Sequence, residues 1–263
     1  MSEFEDVLYE AKGGTAWITI NRPEVLNALR TKTYADLRDA FKKGTADPEI
    51  GVMVLTGAGD HAFSSGGDVK AQSSRTVHVG REHLRVVTEL GAAMRNSGKP
   101  IIAAVNGYSI GGGNELNIMC DLTIASDRAK FGQVGPRVGS VPVWGAVQML
   151  PRMVGEKKAR EIVYLCEQYT AEEAVAMGLA NKVVPHDELY SEVEKWCEII
   201  LDKSPRALRI AKILMNHGSD LEYNTFISGT EMLSMTYGDD ENLEGVHAFL
   251  EKRPPNYRKF RTA

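Results

Sequence analysis

Five short apolar runs limit the folds open to this chain. They cover residues 16–20, 52–56, 101–105, 122–125 and 182–184, each bounded by turn-forming residues. Runs of this length, rich in β-branched side chains, read as strands. Between them the apolar period changes. Residues 31–43 set Leu37, Ala40 and Phe41 on one helical face, and residues 81–96 do likewise with Leu84, Val87, Leu90 and Met94. Asn21-Arg22-Pro23 ends the first run sharply. Strands alternating with helices imply an α/β fold with covered sheets. Past residue 187 the reading changes: 188–202, 205–216 and 222–237 look helical and no strand follows. Two parts are therefore expected, an α/β core over 1–187 and a helical region over 188–263. Residues 71–80 are polar and unpatterned, the best candidate for a mobile loop.

Bulk properties exclude several classes. The 263 residues suffice for one large domain, and a net charge of −4 lacks the basic bias of a nucleic-acid binder. Cys120, Cys166 and Cys197 are odd in number and widely spaced, against a disulfide framework or a zinc site. The start, Met1-Ser2-Glu3-Phe4-Glu5-Asp6, is acidic and lacks the apolar core of a leader. No apolar run approaches the ~20 residues that span a bilayer. A cytoplasmic location is expected, with no membrane and no nucleic-acid partner.

The stretch Gly107-Tyr108-Ser109-Ile110-Gly111-Gly112-Gly113-Asn114-Glu115-Leu116 poses the functional question. Its first five residues match G-x-S-x-G, the turn that carries a nucleophilic serine in α/β-hydrolases. His186, His217 and His247 lie downstream, so the required chain order is available, but none has a recognisable base context. The other reading makes the glycines the point. Gly111-Gly112-Gly113 follow a strand and open a helix, whose unpaired N–H groups suit a phosphate or a developing oxyanion. A second such loop, Ser64-Ser65-Gly66-Gly67-Asp68, also follows a strand and precedes a helix. Two N–H donors from two strand–loop–helix units can converge on one thioester oxygen.

These motifs, with Asn21-Arg22-Pro23, Asn27-Ala28-Leu29, Ala62-Phe63, Cys120-Asp121-Leu122-Thr123-Ile124-Ala125 and Phe131-Gly132-Gln133, resemble the crotonase (enoyl-CoA hydratase/isomerase) superfamily over nearly the whole chain. The resemblance implies a crotonase (ClpP-like) spiral of ββα units with a helical C-terminal trimerisation region. It also implies a homotrimer or dimer of trimers, and an acyl-CoA thioester as substrate. No metal and no cofactor beyond the substrate's coenzyme A are expected. By the same resemblance the N–H groups of Gly67 and Gly112 form the oxyanion hole, and Ser109 is structural. Ala28, Leu29, Lys70 and the backbone of 62–67, including Ala62 and Ser65, would bind the coenzyme A. Asp68 would orient its loop, and Trp144 would wall the acyl pocket. The basic tail, 251–261, would either contact coenzyme A phosphates or remain a solvated charge run.

Hydratases of this family use two glutamates. The first falls on Glu115; the second position is Gly135, in Gln133-Val134-Gly135-Pro136. Residues 131–141 and 154–162 resemble a narrower branch, shared by dihydroxynaphthoyl-CoA synthase and 2-ketocyclohexanecarboxyl-CoA hydrolase and closer to the second. That branch makes or breaks a C–C bond beta to the thioester. The chain departs from it in three ways: Pro142 stands where both relatives carry aspartate, Glu115 where both carry an apolar residue, and Val163 where the synthase has a tryptophan for bicarbonate. The branch's functional tyrosine matches Tyr237. The implied reaction is ring-opening hydrolysis of an alicyclic β-oxo acyl-CoA, with Glu115 activating water and Tyr237 or Ser140 supplying a proton. Gln133 would bind water or cap a strand. The competing readings are hydration or isomerisation of a cyclic enoyl-CoA by a single glutamate, a serine hydrolase, and a non-catalytic CoA-binding or assembly subunit.

Overall fold

A computed structural model of the chain describes residues 4–220 and 222–261. Met1 to Glu3, on which the reading of the N-terminus partly rests, lie outside the described residues.

Among the described residues ten strands form two sheets. They are β1 (Val7–Lys12), β2 (Thr15–Ile20), β3 (Val52–Gly57), β4 (Ala62–Ser64), β5 (Ile101–Val105), β6 (Tyr108–Ile110), β7 (Leu122–Ser126), β8 (Lys130–Gly132), β9 (Gln168–Thr170) and β10 (Lys182–Val184). The larger sheet has the order β1-β2-β3-β5-β7-β10, and the smaller β4-β6-β8-β9. Apart from the β1–β2 hairpin, the larger sheet is parallel. That hairpin closes on Gly13 and Gly14, both at positive φ (57° and 81°), as a two-residue turn requires.

The period-2 rule sorts the large sheet's side chains. Val52 and Val54 of β3, with Ile102 and Ala104 of β5, face Leu189, Val193 and Cys197 of helix Leu189–Leu201. Met53 and Leu55, with Ile101 and Ala103, face the other way, into the main core with Leu37, Phe41, Leu90 and Met94. The latter four belong to helices Thr31–Ala46 and Val77–Arg95. Both faces are covered, as uninterrupted apolar runs in a parallel sheet demand.

All five expected strands are present, and all belong to the large sheet. Strand β1 and the whole small sheet were not foreseen, nor was the helix Asp240–Leu250. The expected loop at 71–80 is corrected. Residues 71–72 end the helix Val69–Gln72 and residues 77–80 begin Val77–Arg95. Two caps account for this: the Asp68 side chain accepts from Ala71 N–H (3.2 Å) and Thr76 Oγ1 from Val79 N–H (3.4 Å). Only 73–76 links the two helices.

Candidate active site

The small sheet exists to bring two turns together. Strands β4 and β6 run parallel, with Ala62 opposite Tyr108 and Ser64 opposite Ser109, so both chains leave at the same end. After β4, Leu29 N–H donates to Gly66 O (2.8 Å) and Asp68 N–H to Leu29 O (2.9 Å). In such a parallel bridge the central residue's own N–H points away, here from Leu29. The Gly67 N–H therefore faces the second turn. A Cβ placed on Gly112 would lie 3.6 Å from Gly67 N, so the two amides are neighbours with no side chain between them. After β6, Glu115 N–H bonds Gly111 O (2.9 Å), which makes Gly112 N–H one of the unpaired donors of the helix Gly112–Met119. Among the described residues neither amide has a backbone acceptor.

Glycine is required at two of these positions for different reasons. Gly66 has φ of +97°, and a Cβ there would sit 2.7 Å from Ile110 O. Gly113 has an ordinary helical φ, but its Cβ would meet Ser64 O at 2.2 Å. The first glycine lets the loop turn; the second lets the helix lie directly on β4.

Glu115 follows Gly112 by three residues on the same helix and is only 8% exposed. Its Oε1 accepts from Trp144 N–H at 2.7 Å, and the Ala146 N–H also reaches the carboxylate. No cation pairs with it among the described residues. Burial pushes its pKa up to about 8, against the downward pull of the two backbone donors. A carboxyl with such a pKa can take and return a proton near neutral pH.

A cleft of about 640 Å³ joins these groups. Gly67, Gly112, Glu115, Gln133, Gly135 and Ser140 line it, with Ala28, Ser65, Asp68 and Lys70 toward one side and Phe249 and Leu250 of the last helix toward another. Gln133 is fully buried, and neither its Oε1 nor its Nε2 has a partner. Buried amides are nearly always bonded, so this one is available to a water or a ligand in the cleft. At Gly135 a Cβ would lie 3.0 Å from Ser140 O and 3.4 Å from Pro142 Cδ. A side chain at this position, where a hydratase's second carboxylate is expected, would require the 140–142 backbone to give by a few tenths of an ångström.

Leu29, Ala62, Trp144 and Tyr237 stand back from the cleft, whereas Asp68 lines it. Leu29 and Ala62 are fully buried and contribute backbone. Asp68 caps its helix and accepts from Arg22 at 3.2 Å. Trp144 reaches Glu115 through its N–H, while its ring contacts Tyr34 edge-on at 5.8 Å. Tyr237 is 5% exposed and hydrogen-bonds Arg75 rather than facing the cleft. Ser109 Oγ is buried, and among the described residues neither a histidine nor any other group bonds it. His186 instead contacts Ser126 Oγ at 2.9 Å. In the tail, Arg253 and Lys259 pair with Glu244, whose carboxyl Arg253 holds down at about 2.

Sequence reasoning missed Gln72, Tyr34, Arg75 and His83. Gln72 lines the cleft and its Oε1 is buried without a partner. The Tyr34 hydroxyl would meet a Cβ on Gly112 at 2.7 Å. Nothing in the local pattern marks an arginine or a histidine as buried; only the fold does.

Comparison with known proteins shows the family and the fold. The profile described as enoyl-CoA hydratase/isomerase matches residues 10–260. An enoyl-CoA hydratase from Mycobacterium avium subsp. paratuberculosis K-10 superposes with a TM-score of 0.88 at 28% identity, over 96% of this chain and 98% of that one. Pseudomonas aeruginosa DspI gives 0.80 at 32% identity, over 98% of each chain. Subunit I of an enoyl-CoA hydratase from Geobacillus kaustophilus HTA426 gives 0.79 at 31%, over 97% and 98%.

Proposed function

The chain belongs to the enoyl-CoA hydratase/isomerase family, the crotonase superfamily, and from that premise we propose that it opens an alicyclic, β-oxo acyl-CoA by C–C hydrolysis. The observation that carries this reading is a single desolvated carboxylate, Glu115, beside two adjacent free amides, with glycine and not a second carboxylate at position 135 of the cleft wall. The sequence likeness of residues 131–141 and 154–162 to the ring-opening hydrolases supports the same choice.

In this mechanism the thioester oxygen accepts from Gly67 N–H and Gly112 N–H. Glu115 takes a proton from water, and the water oxygen adds to the ring ketone carbon. The bond between that carbon and the α-carbon then breaks, its electron pair passing into the thioester as an enolate held by the two amides. The ketone carbon becomes a carboxylic acid and the α-carbon takes a proton, from Glu115 or from a hydroxyl. Ser140, which lines the cleft, would serve; Tyr237 would act from behind it. Water and ketone are consumed and a dicarboxylic mono-thioester is made, with no other reagent. Lys70, at the cleft, would face the coenzyme A. The exposed Ile210, Ile213, Leu214, Met215, Met232 and Met235 support assembly as a trimer or dimer of trimers through the C-terminal helices.

The second reading is hydration of a cyclic enoyl-CoA with Glu115 as the only carboxylate. It is favoured by the solved enoyl-CoA hydratases that resemble this chain. Mass spectrometry in 18O-labelled water separates the two. The panel is 2-oxocyclohexanecarboxyl-CoA, cyclohexenecarboxyl-CoA and crotonyl-CoA. Label in the new carboxylate of a dicarboxylic mono-CoA product supports ring opening. A labelled β-hydroxyacyl-CoA, with the β-oxo ring untouched, rejects it in favour of hydration.

A further inference from the structure

Arg75 is the one buried arginine of the core, 6% exposed, and it has no carboxylate within ion-pair distance among the described residues. It lies in the link 73–76, between the helix that follows Gly67 and the helix Val77–Arg95. Its Nη1 donates to Tyr237 OH at 3.4 Å and its Nη2 to His83 Nδ1 at 3.3 Å, and it stacks 5.5 Å from the Tyr237 ring centroid. These are long contacts to neutral groups. His83 is kept uncharged, first by burial and then by Arg75 itself, with its pKa down at about 3. Thr31 Oγ1 also contacts Nδ1, at 2.9 Å. A guanidinium carries five donors in a rigid fork and does not shed its proton. Burying one without an anion is costly, and a carboxylate is what its geometry matches.

Its place in the fold says which carboxylate. Tyr34 stands between Arg75 and the glycine turns. The ring edges His83 at 5.4 Å and Trp144 at 5.8 Å, while the hydroxyl lies beside Gly112. Glu115 is not the missing counterion, because its carboxylate is taken by backbone amides on the Trp144 side. Lys70, the basic group suited to coenzyme A phosphates, is on the cleft and not in this cluster.

We propose that Arg75, with Tyr237 and His83, receives a carboxylate carried by the acyl group, so that the preferred ligands are ω-carboxyacyl-CoA thioesters. This rests on the acyl-CoA reading above but not on ring opening itself. Ring opening would create such a group, and an acyl chain already bearing one would fit equally.

The test is equilibrium binding by calorimetry with the full chain. Glutaryl-, adipyl- and pimeloyl-CoA are each compared with the straight-chain monocarboxylic acyl-CoA of equal length. The wild type is expected to bind at least one dicarboxylic thioester roughly 10- to 100-fold more tightly than its partner, the usual worth of hydrogen bonds to a charged group. Arg75→Met brings that ratio close to one, and Arg75→Lys keeps part of it. Equal affinities in the wild type at every length overturn the proposal without relying on any variant. A preference that survives Arg75→Met in protein with native circular dichroism assigns Arg75 to holding Tyr237 only, and also overturns it. If neither class of thioester binds, the acyl-CoA reading falls and this inference with it. If the preference is found but the β-oxo ring is never opened, only the reaction assignment is lost.

Discussion

The two sheets use the same parallel pairing for opposite ends. In the large sheet every residue of β3 and β5 is buried, and its strands fill volume on both faces. In the small sheet each strand is only three residues long. Its pairing aligns the chain ends that carry Gly67, Gly112 and Gln133. One sheet supplies apolar burial, which tolerates many sequences of similar volume. The other supplies backbone position, which tolerates almost none. Substitutions in the two should therefore separate stability from chemistry.

The largest effect is expected from removing chemistry without volume. Glu115→Gln should lower kcat by ~100- to 10,000-fold, the usual range for a general base, on whichever substrate proves active. Its stability should move the other way. Glu115 has an ordinary value of 4.5 and is held at about 8 in the folded chain. Between these the unfolded chain has lost a proton that the folded chain keeps. The carboxyl's contribution to stability is full below the lower value and is lost as pH rises through the upper one. The glutamine variant lacks that loss, so its melting temperature relative to wild type should rise from pH 5 to pH 8.5. A margin that stays flat or shrinks contradicts a buried, protonated Glu115. In the wild type, kcat/KM should climb with pH through an apparent pKa near 8, as the base ionises.

Next is Gly66→Ala. The new Cβ would sit 2.7 Å from Ile110 O and 3.3 Å from Gly112 N, at a φ of +97° that alanine resists. Displacing one amide donor typically costs ~100- to 1,000-fold in rate. Far-UV circular dichroism should be unchanged while kcat falls. Full activity in this variant would mean that the two turns do not form the oxyanion site.

Leu55→Ala is the counterpart in the large sheet. Leu55 is fully buried on β3, and such truncations cost about 2–5 kcal/mol. For a chain of this size each kcal/mol lowers Tm by about 2–4 °C. Thermal melts should show that loss, with kcat unchanged well below the transition. A fall in kcat as deep as that of Gly66→Ala would abolish the distinction between the sheets.

The same distinction explains what was legible in the sequence. Apolar runs such as Ile101–Val105 disclose themselves because burying them is the only way to shelter them. Ala62–Ser64 and Tyr108–Ile110 have too few residues for a period to develop, and their buried Ser64 and Ser109 read as loop. The glycine turns were visible as motifs, but their mutual approach was not, since it depends on a pairing between residues far apart in sequence. Glu115 was singled out because the resemblance puts a hydratase's first glutamate there, and the structure sets it buried at the cleft. Arg75 and His83 were not, because a charged or polar residue in a polar stretch is ordinarily a surface residue. The caps at Asp68 and Thr76 were there to be read, and they would have removed most of the supposed loop at 71–80.

The smallest effect is expected at Ser109, the residue that first suggested a hydrolase. It lies on β6 between Ser64 and Phe131 in the neighbouring strands. Its side chain is fully enclosed and its Oγ has no hydrogen-bond partner. A nucleophile needs an adjacent base and an open path to the substrate, and Ser109 has neither. An unpartnered buried hydroxyl also carries a desolvation cost with no bond to offset it. Ser109→Ala should therefore leave kcat unaltered and leave Tm unchanged or slightly raised. A collapse of turnover in a variant that still melts like wild type, or an acyl adduct at this position in the intact-protein mass spectrum, would transfer the chemistry from the glycine amides and Glu115 to the serine.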